Sequence, residues 1–477
     1  MCRGPPDLSK EAAGDAALLP DFTRAEIASS RPDLVIIHDK VYDAARFRWE
    51  HPGGAVFVSV FGGRDATLAF QSYHMRTFPF ERMAPFLAGS LHGSEAPVDF
   101  CADHLALCAA VRPALAANGN GSFAPRHQRI KAAALCCAAV GVEVYAARVG
   151  RTFANAAALG LLFALIGLNV QHDANHGAIF KSGTLNAVAG LAQSWIGGSQ
   201  LMWLQEHVVL HHLHTGDEAM DCDAQLAPAL RGHGAAPWFP WMRFQALYFV
   251  VLEAFYGVVP VFVSFAETVY GAHKFDARYA VSPLARRWAL QSAVAHLIFY
   301  ARFLYLPWRA AVATNPEAPA AAYARELAKV AVTVGVGGGY LAFFFFLSHN
   351  FEGVKIVAGA TADGAATYGA ESSFLLQQAA SSSNVGGAKL ACLNGGLNYQ
   401  IEHHLLPRVA HSHYPTIAPI VRAFVEKRGG AYVHYDTVSA NLASVARHLG
   451  AFADPKHGAA APKPGLAAGS RPRLPPQ

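Results

Sequence analysis

A run without one charged side chain extends from Thr152 to Gln171 and ends directly in two histidines four residues apart, His172 and His176. A helix of that length measures about 30 Å, enough to cross a hydrocarbon core. Two more histidine clusters stand beside apolar stretches and limit the fold further. His207, His211, His212 and His214 lie within EHVVLHHLHTGD, and His403 and His404 within QIEHH. On a helix, residues three or four apart share a face, so His207 and His211 address one centre with His212 alongside. A lone histidine in an apolar segment is ordinarily a satisfied core residue; three clusters need another explanation. Neutral imidazole is the commonest protein ligand for transition metals. The seven imidazoles of His172, His176, His207, His211, His212, His403 and His404 exceed what a four-coordinate zinc uses and suit two metal ions at one site. All three clusters must then emerge on one side of a membrane.

The composition agrees. Hydrophobic residues make up 53% and charged residues 15% of the chain, where soluble proteins carry roughly a quarter charged. The net charge of +5 includes no basic run suited to nucleic acid and fits a face near anionic headgroups. Seven scattered cysteines show no disulfide or zinc spacing, which favours a reducing, cytosolic face. The first 20 residues lack the apolar core of a secretory signal, so membrane entry is expected from internal spans.

Four spans are predicted, as two hairpins. Ala132 to Ala147, apolar apart from Glu143, pairs with Thr152 to Gln171; Trp288 to Trp308 pairs with Leu327 to Ser348, which ends at His349. The uncharged stretch between Lys181 and Glu206 reads as re-entrant or interfacial, because a single crossing would separate the first two clusters. Phe244 to Ala266, interrupted by Glu253 and Pro260, reads as an amphipathic helix on the membrane surface. The predicted divisions are a disordered leader (1–20), a soluble domain (21–95), a linker (96–126) with a helix from Asp103 to Leu115, a membrane domain (127–452) and a disordered tail (453–477). Ala358 to Ser373 is expected to be a polar loop.

Within the soluble segment, Val35-Ile36-Ile37 is a short strand followed by a turn at His38-Asp39-Lys40. Then comes His51-Pro52-Gly53-Gly54, where proline and two glycines force a tight turn and admit a flat ligand close to the backbone. His51 and His74 are candidate axial ligands of a haem, with Phe57, Val60, Phe61 and Phe70 as apolar walls. Two nitrogen ligands leave no open position and favour electron transfer. HPGG, FGGRDAT and the second histidine resemble a cytochrome b5 haem-binding domain.

HPGG, QHDANH, WLQEHVVLHHLHT and LNYQIEHHLLP, in that order, resemble the front-end fatty acyl desaturases fused to cytochrome b5. The resemblance implies an α-helical polytopic membrane protein with four transmembrane helices, interfacial helices and a cytosolic di-iron cap, behind an α+β haem domain. It implies haem b on His51 and His74, and two non-haem irons on His172, His176, His207, His211, His212, His403 and His404. Gln400 stands where other membrane desaturases carry the first histidine of the third box. It is expected either at the metals or as a partner of the loop Gly395 to Tyr399. His349 is either an additional ligand or a helix-terminal histidine facing headgroups. His214 and Asp173 are expected as outer partners of ligands, and His411 and His413 as surface residues. The second box is HxxxHH where many relatives have HxxHH. That spacing and the WIGGS, SHNFEG and LNGGLN contexts look like algal enzymes acting on very long polyunsaturated chains, delta-4 before delta-5.

The implied activity is insertion of a cis double bond near the carboxyl end of an acyl-CoA or membrane-lipid substrate. It uses O2 and NADH-derived electrons from NADH-cytochrome b5 reductase, at the cytosolic face of the endoplasmic reticulum. Rival readings are a sphingolipid delta-8 desaturase or lipid hydroxylase with the same metals, a haem-bearing membrane electron carrier, and a metal-ion transporter. The transporter would place histidines within spans; here they cluster at span ends.

Overall fold

The computed structural model describes residues 19–75, 80–92, 101–117, 119–357 and 373–456. Most of the predicted leader, the polar loop from Ala358 and the tail from residue 457 lie outside the described residues.

The soluble domain is built on five short strands, β1 (Asp21–Phe22), β2 (Leu34–Ile37), β3 (Lys40–Asp43), β4 (Arg64–Asp65) and β5 (Leu87–Leu91), in the order β1-β5-β3-β2-β4. β2 is the apolar run, and all four of its side chains are buried. His38 and Asp39 turn it into antiparallel β3, with Ile37 opposite Lys40. The helix Ala55–Val60 follows the turn that bears His51, the helix Thr67–Tyr73 ends at His74, and the two wall a cleft against this sheet. The linker helix runs from Cys101 to Ala117. It buries Leu107, Val111 and Leu115, one face at four-residue spacing, against Ile417, Val421 and Val425 of the helix Tyr414–Lys427.

Among the described residues, four helices are long and apolar enough to cross a membrane: α1 (Arg126–Val149), α2 (Phe153–Asn175), α3 (Pro283–Thr314) and α4 (Pro319–His349). α1, α3 and α4 each contain a predicted span and exceed it; α2 begins one residue inside the predicted Thr152 start, with Thr152 as its N-cap, and runs four residues past the predicted end. Glu143, the one acid in the predicted α1 core, pairs with Arg302 of α3, so the half-buried charge is neutralised by its partner. α2 and α4 cross where glycine replaces side chain: a Cβ on Gly160 would lie 2.4 Å from the Thr333 carbonyl oxygen, and one on Gly337 2.9 Å from that of Gly160. Thr333 Oγ1 also donates to the Ala156 carbonyl at 3.0 Å. Small residues let helix backbones approach in lipid, where hydrophobicity gives no drive to pair.

Between residues 181 and 206 lie the short helices Gly183–Gly190, Ala192–Trp195 and Gln200–Trp203, the last running on into Leu204–His211. None has the length of a crossing. The single surface helix expected over Phe244 to Ala266 is instead two pieces, Gln245–Glu253 and a second beginning at Val259. The break has a packing cause. Gly257 lies against α4 so closely that a Cβ would sit 2.2 Å from the Val334 carbonyl oxygen, and Pro260 contributes no N–H to continue a helix. The outward apolar side chains remain, with Leu247 79% and Phe255 63% exposed.

Candidate functional site

α2 widens into a π-helical turn over Gly167–Gln171, where the His172 N–H bonds to the Gly167 carbonyl. The second cluster sits on another widened stretch, Leu204–His211, where the His212 N–H reaches the His207 carbonyl. Such turns concentrate at functional sites. Here the consequence is geometric: in an α-helix His212 would point roughly 140° away from His207. The wider turn brings it edge-on to His207 instead, with ring planes 86° apart and Nε2 atoms 3.2 Å apart. The third cluster is carried by the helix Gln400–Leu405, which puts Gln400, His403 and His404 on one face. The loop before it lies directly on α2. Gly395 has φ +64°, and a Cβ there would meet the Leu168 carbonyl oxygen at 2.2 Å.

Two groups of histidines result. Ring nitrogens of His172, His176, His207 and His403 all lie within 4.8 Å of one another, as do those of His211, His349 and His404. His212 joins the first group, its Nε2 2.9 Å from that of His403. All are buried except His349, which is half-buried. The outward nitrogens take fixed partners. Nδ1 of His176 lies 2.7 Å from Tyr73 Oη, that of His349 3.0 Å from the Ser381 carbonyl, and that of His403 3.2 Å from Tyr414 Oη. His404 Nδ1 donates to Gln378 Oε1 at 2.9 Å, and His211 Nδ1 faces Asp221 at 3.0 Å and Asp223 at 3.2 Å.

The inward nitrogens are the informative ones. Nε2 of His176 and of His211 has no hydrogen-bond partner. Those of His207, His212 and His403 crowd together at 2.9 to 3.3 Å. A metal-binding histidine commits one ring nitrogen to an outer acceptor and aims the other lone pair at the ion. This donor set fits two transition-metal ions. His211, Asp221 and Asp223 form a third cluster of ligand-type atoms, but it uses the same His211 Nδ1, so the carboxylates orient that ring.

Burial, reinforced by the neighbouring imidazoles, holds His207, His212, His403 and His404 well below the ordinary histidine range. They are neutral and ready to coordinate. His211 differs: burial disfavours its charge, but Asp221 and Asp223 outweigh that and lift it to about 9. A metal arriving there displaces a proton.

In the soluble domain, His51 and His74 face each other with ring centroids 6.2 Å apart. Two metal–nitrogen bonds of about 2 Å plus the ring radii require roughly 6 Å between opposed imidazoles. His74 Nδ1 donates to the Phe70 carbonyl at 2.7 Å, leaving its Nε2 for the cleft. Burial presses both rings to about 4, so both are neutral. Gly53 is the cradle: a Cβ there would lie 2.7 Å from the His51 ring. The cavity between them, about 380 Å³, is lined by Phe57, Phe61, Phe70 and Phe86, and a bis-histidine haem fits this set. Val60, expected as a wall, packs in the core behind it. The opposite wall comes from the membrane domain and includes His176, Gly183 and Arg408.

Residues 151–436 match the fatty acid desaturase family, and residues 24–92 the cytochrome b5-like heme/steroid binding domain. The chain is a cytochrome b5-fused fatty acid desaturase. It is 47% identical over 428 residues to a protein of Rebecca salina named acyl-lipid (7-3)-desaturase, covering 90% of this chain and 92% of that one. A protein of the same name from Diacronema lutheri is 46% identical over 436 residues, covering 91% and 93%. The acyl-lipid (7-3)-desaturase, chloroplastic, of Chlamydomonas reinhardtii is 31% identical over 431 residues, covering 86% and 78%.

Some residues of this desaturase lie elsewhere than the sequence suggested. His214 is in neither group, and its Nδ1 has no hydrogen bond. His411 and His413, expected at the surface, are buried at 3% and 1% exposure. The chain after Pro407 folds back onto the start of α1, with Ala410 N–H donating to the Ser122 carbonyl at 2.9 Å. Asp173 therefore binds His411 Nδ1 at 2.9 Å and Gln128 at 2.7 Å, and stays 3.6 Å from His172. Tyr73, Asp221, Asp223, Gln378 and Tyr414 were not singled out from sequence; only the acidic run GDEAMDCD behind the second box signalled any of them.

Proposed function

We propose that this chain is a front-end acyl-lipid desaturase that places a cis double bond at the delta-4 position of a very long polyunsaturated chain. The observation that carries the reading is the pair of inward-facing imidazole groups, with His176, His211, His349, His403 and His404 braced from outside at Nδ1, beside a haem-sized cavity. His172, His176, His207, His212 and His403 would hold one iron, and His211, His349 and His404 the other, with Gln400 at the second. When bound, the irons supply the oxygen-dependent oxidation that an unactivated methylene requires and no side chain provides.

The protein's own part is to bind the acyl chain, exclude water and fix the distance to the carboxyl end. Trp203 supports this division. Its ring lies 4.5 Å from that of His207 and 5.3 Å from that of His176. On its other side is a cavity of about 100 Å³ between Phe163, Val261, Phe299, Gly337 and Leu341, within the helix bundle. An acyl chain lying there meets the histidine groups at Trp203. The names of the three relatives support an acyl-lipid substrate. His51 and His74 would hold haem b, reduced one electron at a time by NADH-cytochrome b5 reductase. O2 is the co-substrate. Both centres would face the cytosol from the endoplasmic reticulum membrane.

Expression in yeast fed a panel of polyunsaturated acids, with double bonds located by mass spectrometry, tests the reading. A new double bond at carbon 4, in lipid-bound acyl chains, is the expected result. A new bond only at carbon 5 overturns the regiochemistry; hydroxylated products or altered sphingoid bases overturn the reaction class or the substrate.

A further inference from the structure

Tyr73 ends a helix of the haem domain, directly before His74, yet its hydroxyl reaches out of that domain. It lies 2.7 Å from Nδ1 of His176, and the two rings stack with centroids 6.1 Å and planes 21° apart. The far nitrogen of His176, Nε2, has no partner and belongs to the group with His172, His207 and His403. The braces of His211, His349, His403 and His404 all come from the membrane domain. The brace of His176 comes from the haem domain.

The two domains are held in this pose at several independent points. Gly183 lies on the HPGG turn so closely that a Cβ would meet the Gly53 carbonyl carbon at 2.4 Å. Ser282 Oγ donates to the Gly62 carbonyl at 2.8 Å, and Arg48 Nη1 to the Leu284 carbonyl at 3.0 Å. For His176 Nε2 to offer a lone pair, its proton must sit on Nδ1, and the Tyr73 oxygen is the acceptor waiting there.

We infer that Tyr73 is a positioning residue of the metal centre: the haem domain supplies, from within the same chain, the hydrogen bond that fixes the tautomer and tilt of His176. The metal site is complete only while the haem domain is docked. This rests on the reading of His176 as a metal ligand. It also assigns the fused domain a structural task separate from carrying electrons.

The test is metal binding by the full-length chain, not turnover. The haem-loaded protein is stripped of non-haem metal and titrated with cobalt(II), whose visible bands report histidine ligation. Tyr73→Phe keeps the ring and removes only Oη. It should weaken cobalt binding at one of the two sites about 10- to 100-fold, leaving the haem absorbance and the other site unchanged. Tyr42→Phe removes a buried hydroxyl of the same domain that has no hydrogen-bond partner, and should change neither. Gly183→Val pushes the HPGG turn away with Tyr73 intact. It should weaken the same site, and the double variant should be no weaker than the weaker single one, because both changes break one contact.

Cobalt binding by Tyr73→Phe within twofold of the unsubstituted protein overturns the inference, as do losses that add in the double variant. Should Tyr73→Phe shed haem, Gly183→Val decides alone: weakened binding supports the inference and unchanged binding overturns it. His176→Ala separates the underlying reading. If it binds cobalt as the unsubstituted protein does, His176 is no ligand, and that reading fails first.

Discussion

Gln400 sits between two imidazoles, its Nε2 2.9 Å from His349 Nε2 and 3.2 Å from His404 Nε2. Its Oε1 has no partner. A half-turn of the amide exchanges the two atoms and would present the carbonyl oxygen to the point that His349 and His404 address. Oxygen is a weaker donor there than a third imidazole, so the metal it faces is left more open. Gln400→Ala should lower desaturation about 10- to 100-fold, with haem absorbance unchanged. Ile401→Val, a one-methylene change on the same helix, should do little. An unchanged product rate in Gln400→Ala would leave the site to histidines alone. The haem ligands give a second expectation at this scale. His51→Ala should abolish the haem spectrum and leave non-haem iron bound; the reverse pattern would show that the two centres had been exchanged. The histidines themselves were legible because they are clustered at helical spacing beside apolar stretches. Tyr73 and Gln378 were not: a tyrosine or glutamine carries no such signal until the fold brings it to an imidazole.

At the level of the elements, the spans were readable from hydropathy because the absence of charge over a bilayer's thickness has few other causes. Their ends were set by packing, and so were the interruptions. The HxxxHH spacing gives no sign of whether a helix turns in four residues or five. The choice at His207–His212 depends on the partners that receive the rings, and the sequence of that segment does not contain them. The break after Glu253 likewise depends on α4, through Gly257 and Gly338. A Cβ on Gly338 would lie 2.2 Å from the Gly257 nitrogen, a backbone atom that cannot swing aside. Gly338→Val should therefore cost about 1–3 kcal/mol of overpacking. Thermal unfolding in detergent measures it, with the haem absorbance, which reports the distant soluble domain, expected to hold its ligation below the lowered transition. A melting temperature equal to that of the unsubstituted protein would mean that this crossing opens without cost.

For the molecule as a whole, two hairpins should return the chain to its starting side. Tags after Gly4 and after Lys456 should both face the cytosol and a tag at Pro316 the lumen; opposite faces for the two ends would require an odd number of spans. The buried imidazoles add a dependence on pH that the metal-free protein should show. A histidine in the unfolded chain titrates near 6.5. His51 and His74, pressed to about 4, and His207, His212, His403 and His404, held well below the ordinary range, are neutral in both states above that value. They contribute no pH dependence there. Below it the unfolded chain takes up protons that the folded one refuses, so stability falls as pH falls. Each such group contributes up to about 1.4 kcal/mol per pH unit until its folded value is reached. His211, lifted to about 9, has the opposite sign. Its contribution is complete below about 6.5 and is lost as pH rises through 9. The six depressed groups outnumber the raised one, so acid should act more steeply than base. Thermal unfolding of the metal-free protein in detergent, followed from pH 9 down to 5, should give a melting temperature that rises modestly to near neutrality and then drops sharply below about 6.5. A flat profile on the acid side would mean that these rings reach solvent in the folded state. They could not then be the dry, neutral ligand set on which the proposed chemistry depends.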